Sequence, residues 1–390
     1  MAHYNTILHQ LLQLVPRHVF DRTVAEEDAD KYVKAFTCWN QFTVLLWAQI
    51  AGRDTLRDIE TGLFGQSAKL YHLGLPVVKR STLADANRDR PYAIAEKVFY
   101  SLLERCQALS PKHPFRFKNK LHSIDATTIE LCLQAFPWAR YATRKGAVKL
   151  HTMITHDGDL PEVVVVTPGN VHDLTPAKQG RFPILPDSIY VFDRGYLEFA
   201  WLWAINEAEA YFVTRLKEGL DYEVAGQHKP AAGKGVKADL LIRMWGDASS
   251  GKYPQELRAV VYHDEEHDVH YKFITNNFTL AASTIAQIYK ARWKIELFFK
   301  WIKQNLKIKS FLGTTLNAVM TQVWVAMCYV LLLAYITYKT KCGYTWLELS
   351  RMLQTTLLER MSLIDLLRLH PSQPPPRAAP GDPQLTFSFA

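Results

Sequence analysis

Apolar residues recur with a helical period through about residue 110 and with a strand period from about residue 121 onward. In the first part, "NQFTVLLWAQIAG" predicts a helix that grades from amphipathic to buried and ends at Gly52. "RDTLRDIETGLF" and "KRSTLADANRDRPYAIAEKVFYSLLERC" predict further helices, separated by "GQSAKLYHLGLP". A short helix, a turn and Ser81 as N-cap before "TLADANRDR" fit a helix-turn-helix-like arrangement. Asn87, Arg88 and Arg90 would then read bases or phosphates. An ordinary helical bundle fits the same pattern.

After "SPKHPFRFKNK" the residues become β-branched and alternate. "LHSIDATTIELC" predicts one strand, and "AVKLHTMITHDGDLPEVVVVTPG" two more, joined at the Asp157–Gly158 turn. "SIYVFDRGY" predicts a short strand ending at Asp193, "LEFAWLWAINEAEA" a helix and "YFVTRLK" another strand. Three meandering strands, then strands alternating with helices, predict a mixed α/β sheet. Residues 217–281 add Gly-rich turns and the strands "ADLLIRMW", "QELRAVVYHD" and "HDVHYKFIT", which suggest a β-rich insertion.

"YKARWKIELFFKWIKQNLKIK", Tyr289 to Lys309, predicts a basic helix. At about 100° per residue, Tyr289, Arg292, Glu296 and Lys303 fall within an arc of about 60°. Ile295, Phe298, Phe299, Ile302 and Leu306 occupy the neighbouring arc, the predicted buried face. "VMTQVWVAMCYVLLLAYITY", Val319 to Tyr338, is long enough to cross a bilayer but contains Gln322. A buried core helix on which the basic helix packs is the expectation. A final helical stretch follows near "WLELSRMLQTTLLERMSLIDLLRLH", and "PSQPPPRAAPGDPQ" is Pro-rich.

Composition adds a partner. The chain has 390 residues and a net charge of +8. Residues 111–150 hold eight Lys/Arg against two acids, and residues 282–311 hold seven against one. Residues 1–110, with thirteen bases and twelve acids, are nearly neutral. Positive charge concentrated in this way suits a polyanion such as DNA or RNA. Five scattered cysteines without CxxC spacing, and no basic-then-apolar leader, predict reduced thiols in a cytosolic chain.

The candidate chemistry lies in three acids from distant segments. Asp125 sits in "HSIDATTI", Asp193 in "VFDRGY" and Glu296 in the basic helix. Carboxylates at strand ends of an α/β sheet open onto its ligand crevice. Three that converge can bind two Mg2+ ions about 3.5–4 Å apart. Taken singly, each Asp also fits a turn or cap, and Arg292–Glu296 also fits an i,i+4 ion pair on a solvated face. "HDEEHDVH", His263 to His270, lacks the HExxH order and predicts a hairpin tip. His151, His156 and His172 fit either the rim of the core or satisfied structural positions.

The order strand-Asp, strand-"DRG", β-rich insertion and helix Y-x2-R-x3-E-x6-K resembles the DDE transposases of bacterial insertion sequences. Tyr289, Arg292, Glu296 and Lys303 match that signature at all four positions. The resemblance covers about residues 115–335 and, more loosely, residues 1–110. It implies an RNase H-like catalytic core with a β-rich insertion, a helical N-terminal domain before it and helices after it. The implied division is a DNA-binding domain over 1–110, core over 111–216 and 282–338, insertion over 217–281, a helical dimerisation region over 339–370 and a disordered tail over 371–390. It implies Asp125, Asp193 and Glu296 as catalytic metal ligands for two Mg2+ ions, with Mn2+ as a substitute. Tyr289, Arg292 and Lys303 would hold phosphates, with Arg194 and Lys300 as further DNA contacts and Trp245 as a base-flipping candidate in the insertion. The implied partners are double-stranded DNA, at transposon ends and target, and a second copy of the chain in a synaptic homodimer. The implied location is the bacterial cytoplasm at the nucleoid, with no membrane. The implied reaction frees a 3′-OH at the element's ends and joins it to target DNA, in many relatives through a hairpin. An RNase H-like nuclease without strand transfer, and a non-catalytic transposase-derived DNA-binding protein, remain alternatives.

Overall fold

A computed structural model describes residues 5–142, 145–228, 235–246 and 250–369, apart from the side chain of His72. The Pro-rich tail lies outside the described residues. Seven helices come first: α1 (Ile7–Leu14), α2 (Arg17–Glu26), α3 (Cys38–Ile50), α4 (Leu56–Phe64), α5 (Ser67–Leu70), α6 (Arg80–Asp89) and α7 (Ala93–Gln107). Thr37 and Asn40 form a capping box that starts α3. Gly52, with φ +70°, lies just beyond its end. α6 begins at Arg80 and is capped by Lys79 without a side-chain bond, so the expectation of Ser81 as N-cap is corrected. The residue before Pro91 is held extended, which separates α6 from α7.

The sheet follows: β1 (Leu121–Leu131), β2 (Arg140–Ala142), β3 (Lys145–Thr155), β4 (Leu160–Pro168), α8 (Thr175–Lys178), β5 (Ile189–Phe192), α9 (Phe199–Glu207) and β6 (Tyr211–Arg215). β1, β3 and β4 form the predicted antiparallel meander, turning at Asp157–Gly158. β5 then pairs parallel with β1, and β6 parallel with β5. This is the mixed α/β sheet that the sequence predicts, with helices at both ends of the chain.

The remaining strands are β7 (Tyr222–His228), β8 (Val236–Met244), β9 (Leu257–Asp264) and β10 (Val269–Thr275). They do not form a separate piece. β10 pairs with β6, and β9, β8 and β7 continue the same sheet outward. Asp264 lies opposite Val269, so "HDEEHDVH" is the tip of the β9–β10 hairpin.

Five helices follow among the described residues: α10 (Ala282–Ala291), α11 (Trp293–Asn305), α12 (Leu316–Thr340), α13 (Trp346–Thr356) and α14 (Leu363–Arg368). The basic helix is therefore broken at Arg292. Tyr289 lies in the last turn of α10, Glu296 in the first turn of α11, and Lys307 beyond its end. Ile295, Phe298, Phe299, Ile302 and Leu306 are all buried, as their shared face predicts.

α12 is a core helix, enclosed by α3, α6, α7 and α13. Trp324 packs against Phe99 of α7 with ring centroids 5.1 Å apart. Gln322 is satisfied there. Its Oε1 accepts from the Leu312 amide at 2.8 Å, and its Nε2 donates to the carbonyls of Lys307 and Ser310. One polar side chain inside an apolar run thus ties down the loop between α11 and α12. The N-terminal helices, α11, α12 and α13 share one apolar core. The segment before α14 returns to α1, where the Ile7 and Leu8 amides donate to the carbonyls of Glu359 and Leu357.

Candidate active site

The parallel register places the two aspartates. Ile124 of β1 lies opposite Phe192 of β5, so the next residues, Asp125 and Asp193, are neighbours across adjacent strands. Ile124 and Phe192 bury themselves in one core, while Leu121, Ile189 and Val191 face α10 in another. Alternation puts both aspartates on the face covered by α10 and α11. Asp193 caps the turn after β5, its Oδ1 accepting from the Gly195 amide at 2.8 Å.

Glu296 comes to the same place from α11. Arg292 joins the acids, with Nη2 2.5 Å from Glu296 Oε1 and Nη1 3.5 Å from Asp125 Oδ2. The i,i+4 pair is therefore real, but it is also a bridge to an acid 167 residues earlier in the chain. The Tyr289 ring carries the Arg292 guanidinium at 5.6 Å and lies 4.6 Å from Phe273. Arg292 Nε is buried without a partner among the described residues.

Burial pushes the Asp125 carboxyl up to about 6; the Ala126 amide and Arg292 pull it back, and Asp193 and Glu296 add to the rise. Three carboxylates against one guanidinium leave excess negative charge on a set of oxygen donors. That set fits a hard divalent cation.

The shift has a testable sign. An acid whose folded value is raised contributes stability that is full below its ordinary 3.8 and is lost as pH rises through about 6. Buried neutral His151 and His156, pushed down to about 4 and about 3 mainly by burial, act oppositely and lose stability on acidification. The difference between wild type and Asp125→Asn isolates the acid. In chelator at pH 7 the variant should melt higher, by at most about 3 kcal/mol. The gap should narrow as pH falls below about 6 and close only near the ordinary value of 3.8. A gap that does not change with pH would refute the assignment.

The other expected contacts divide. Lys303 is half-buried on α11, with its amine pushed down by burial and by Lys309. Lys300 and Arg194 are exposed near the acids in sequence. Trp245 is 71% exposed just beyond β8.

Two of the three proposed N-terminal readers are corrected. Asn87 is 2% exposed and accepts from Gln41 Nε2 at 2.9 Å, so it is an interior residue. Arg90 has a side chain 12% exposed and donates to the Phe36 carbonyl, beside Asp30. Arg88 is on the surface but is paired with Asp85 and Asp89. Helical polarity alone cannot distinguish a buried Asn with a distant partner from a surface reader.

The three histidines have structural partners. His151 Nε2 lies 2.8 Å from Thr167 Oγ1, and His156 Nε2 lies 2.7 Å from Ser123 Oγ. His172 Nδ1 accepts from the Leu174 amide. Lys294, which no sequence motif marks, anchors the first turn of α11 to Asp159 at 2.7 Å. Arg215 stands at the carboxyl end of β6, a position of the same kind as that of Asp193 after β5.

Residues 117–332 match the profile of the Transposase DDE domain, and residues 3–76 match a domain of unknown function, DUF4372. The chain is 34% identical over 315 residues to y4zB of Sinorhizobium fredii, described as a transposase, covering 79% of this chain and 85% of that one. It is 29% identical over 277 residues to a Geobacillus stearothermophilus protein described as a transposase for insertion sequence element IS5377, covering 69% and 70%. A cryo-EM structure of the piggyBac transposase synaptic complex with hairpin DNA aligns over 93% of this chain and 80% of its own, at 9% identity and a TM-score of 0.47. With more than half of its length matched by one family profile and a relative of this identity and coverage, the chain belongs to the DDE transposase family of insertion sequences.

Proposed function

We propose that this transposase binds the terminal inverted repeats of its element as duplex DNA, cleaves them by Mg2+-dependent phosphodiester chemistry and joins the freed 3′-OH ends to target DNA. The observation that carries this reading is the placement of Asp193 beside Asp125 on adjacent strands, with Arg292 bridging Asp125 to Glu296 of α11. Asp125, Asp193 and Glu296 would hold the divalent ions. Bound there, two such ions supply charge stabilisation to the attacking and leaving oxygens. Arg292 orients the Asp125 and Glu296 carboxylates. The Tyr289 ring, 5.6 Å from the guanidinium, helps hold it in place. Two copies of the chain would hold the two ends, with residues 339–370 as the dimerisation region. Residues 1–110 would serve in end recognition without the buried Asn87 and Arg90.

The test is nicking and joining of duplexes made from the DNA that flanks the gene. Metal-dependent nicking followed by strand transfer of a pre-cut end is expected. Nicking without transfer would indicate a nuclease, and binding without nicking a non-catalytic relative.

Lys303 and Lys307 offer an internal contrast. Lys303 has no ion pair among the described residues, whereas Lys307 Nζ lies 2.9 Å from Asp54 Oδ1. Lys303→Ala should lower single-turnover cleavage by on the order of 10²-fold through mispositioning. Lys307→Ala should leave cleavage nearly unchanged and cost at most about 1 kcal/mol of stability. Cleavage rates and chemical denaturation of both variants check this; equal, small cleavage effects would make Lys303 an ordinary solvated lysine.

A further inference from the structure

Arg215 closes β6 on the same face of the sheet as the acids. Val191 of β5 lies opposite Val213 of β6, and Ile124 of β1 lies opposite Phe192. Continued, this register sets Asp125, Asp193 and Arg215 in a row across three adjacent parallel strands, with Asp125 inside β1 and Asp193 and Arg215 at the carboxyl ends of β5 and β6. Thr214 Oγ1 donates to the Asp193 carbonyl at 3.2 Å, which holds the two strand ends together. On its other side, Arg215 lies opposite Phe273 of β10.

Aromatic rings connect Arg215 to Arg292. The Arg215 guanidinium lies 4.8 Å over the Tyr271 ring. Tyr271 stacks on Phe273 at 5.7 Å, and Phe273 meets Tyr289, whose ring carries Arg292. The Tyr289 hydroxyl lies in the combined field of Arg292, Arg215 and Asp193.

The two guanidiniums are spent differently. Arg292 gives both terminal nitrogens to Glu296 and Asp125. Arg215 is half-buried and has no carboxylate within ion-pair distance among the described residues. Its position is held by ring stacking, which leaves the planar fork of donors open. A cation partly withdrawn from water is best completed by an anion, and that fork matches two phosphate oxygens.

We propose that Arg215 is a phosphate-binding residue of the active site, gripping a backbone phosphate of the DNA beside Asp193 while Arg292 serves the acids. The proposal rests on the DNA-cleaving reading above. It adds a contact outside the Tyr-Arg-Glu-Lys residues of α10 and α11, on the sheet side.

The experiment compares full-length wild type, Arg215→Gln and Arg215→Lys on duplexes carrying the gene-flanking DNA. Affinity is measured against salt, single-turnover nicking with Mg2+, and melting without DNA. Arg215→Gln should lower the salt slope of binding by about one unit. It should slow nicking by on the order of 10²-fold with melting unchanged. Arg215→Lys should restore the slope but not the rate, since a point charge cannot replace the fork. An uncharged methylphosphonate walked along the strand beside the nick should abolish the difference between wild type and Arg215→Gln at one position. Unchanged slope and nicking in Arg215→Gln would overturn the assignment. So would a fall in melting that Arg215→Lys restores together with nicking, because Arg215 would then only brace β6 against β10. Failure of wild type itself to bind or nick would instead overturn the DNA-cleaving reading, and the assignment with it.

Discussion

Asp125→Asn, Asp193→Asn and Glu296→Gln should each reduce Mg2+-dependent nicking to background while end binding persists. Each substitution keeps the side chain's shape and removes one anionic oxygen ligand. The fold should tolerate the change, because the aspartates are placed by the β1–β5 register and Glu296 by the buried face of α11. Binding should persist because phosphate contacts come from cations, and losing an acid beside them removes repulsion. Glu296→Gln also frees Arg292 Nη2, so its affinity for duplex DNA should equal or exceed that of wild type. Gel-shift titrations and nicking assays on one preparation of each variant measure both properties. Wild-type nicking by any one of the three would remove that residue from the site.

Asp239→Asn should destabilise the protein by about 3–5 kcal/mol, the cost of leaving a buried charge without its partner. Asp239 of β8 and Arg258 of β9 have side chains only 6% exposed and are joined twice, at 2.8 and 2.7 Å. Arg258 also donates to the carbonyls of Asn277 and Leu280, at the approach to α10. The pair therefore ties the outer strands to the helix that presents Tyr289. Urea denaturation of Asp239→Asn, Arg258→Met and the double variant Asp239→Leu/Arg258→Met would apportion the cost. The double variant should recover much of it, because no unpaired charge remains. A single-variant loss below about 1 kcal/mol would mean that water already reaches the pair.

The helices and strands were legible because their signals are local. The buried face of α11 follows from the spacing of Ile295, Phe298, Phe299, Ile302 and Leu306 alone, and every one of them is buried. Gly158, with φ +76°, sits in the turn that the Asp157–Gly158 pair announces. The apolar run of α12 was legible as a core helix, but not the reason for Gln322, whose partners lie in the preceding loop. The signature residues were likewise visible as a pattern. Their continuity was not, since the helix breaks at Arg292 and Tyr289 joins a different core from Glu296's helix.

What the sequence determined by itself was periodicity: which segments are helix or strand, which face each buries, and that Asp193 follows a strand, whereas Asp125 proves to lie inside β1. Those properties depend on a few neighbouring residues and on the fixed geometry of the backbone. The tertiary structure decided what lies beside what. β10 joins β6, so the outer strands extend the main sheet. Asn87 meets Gln41 and becomes interior, Lys307 is taken by Asp54, and Arg215 comes to stand next to Asp193 with its donors free. Each outcome depends on a partner distant along the chain, and a side chain's chemistry does not reveal which distant group folding will bring against it.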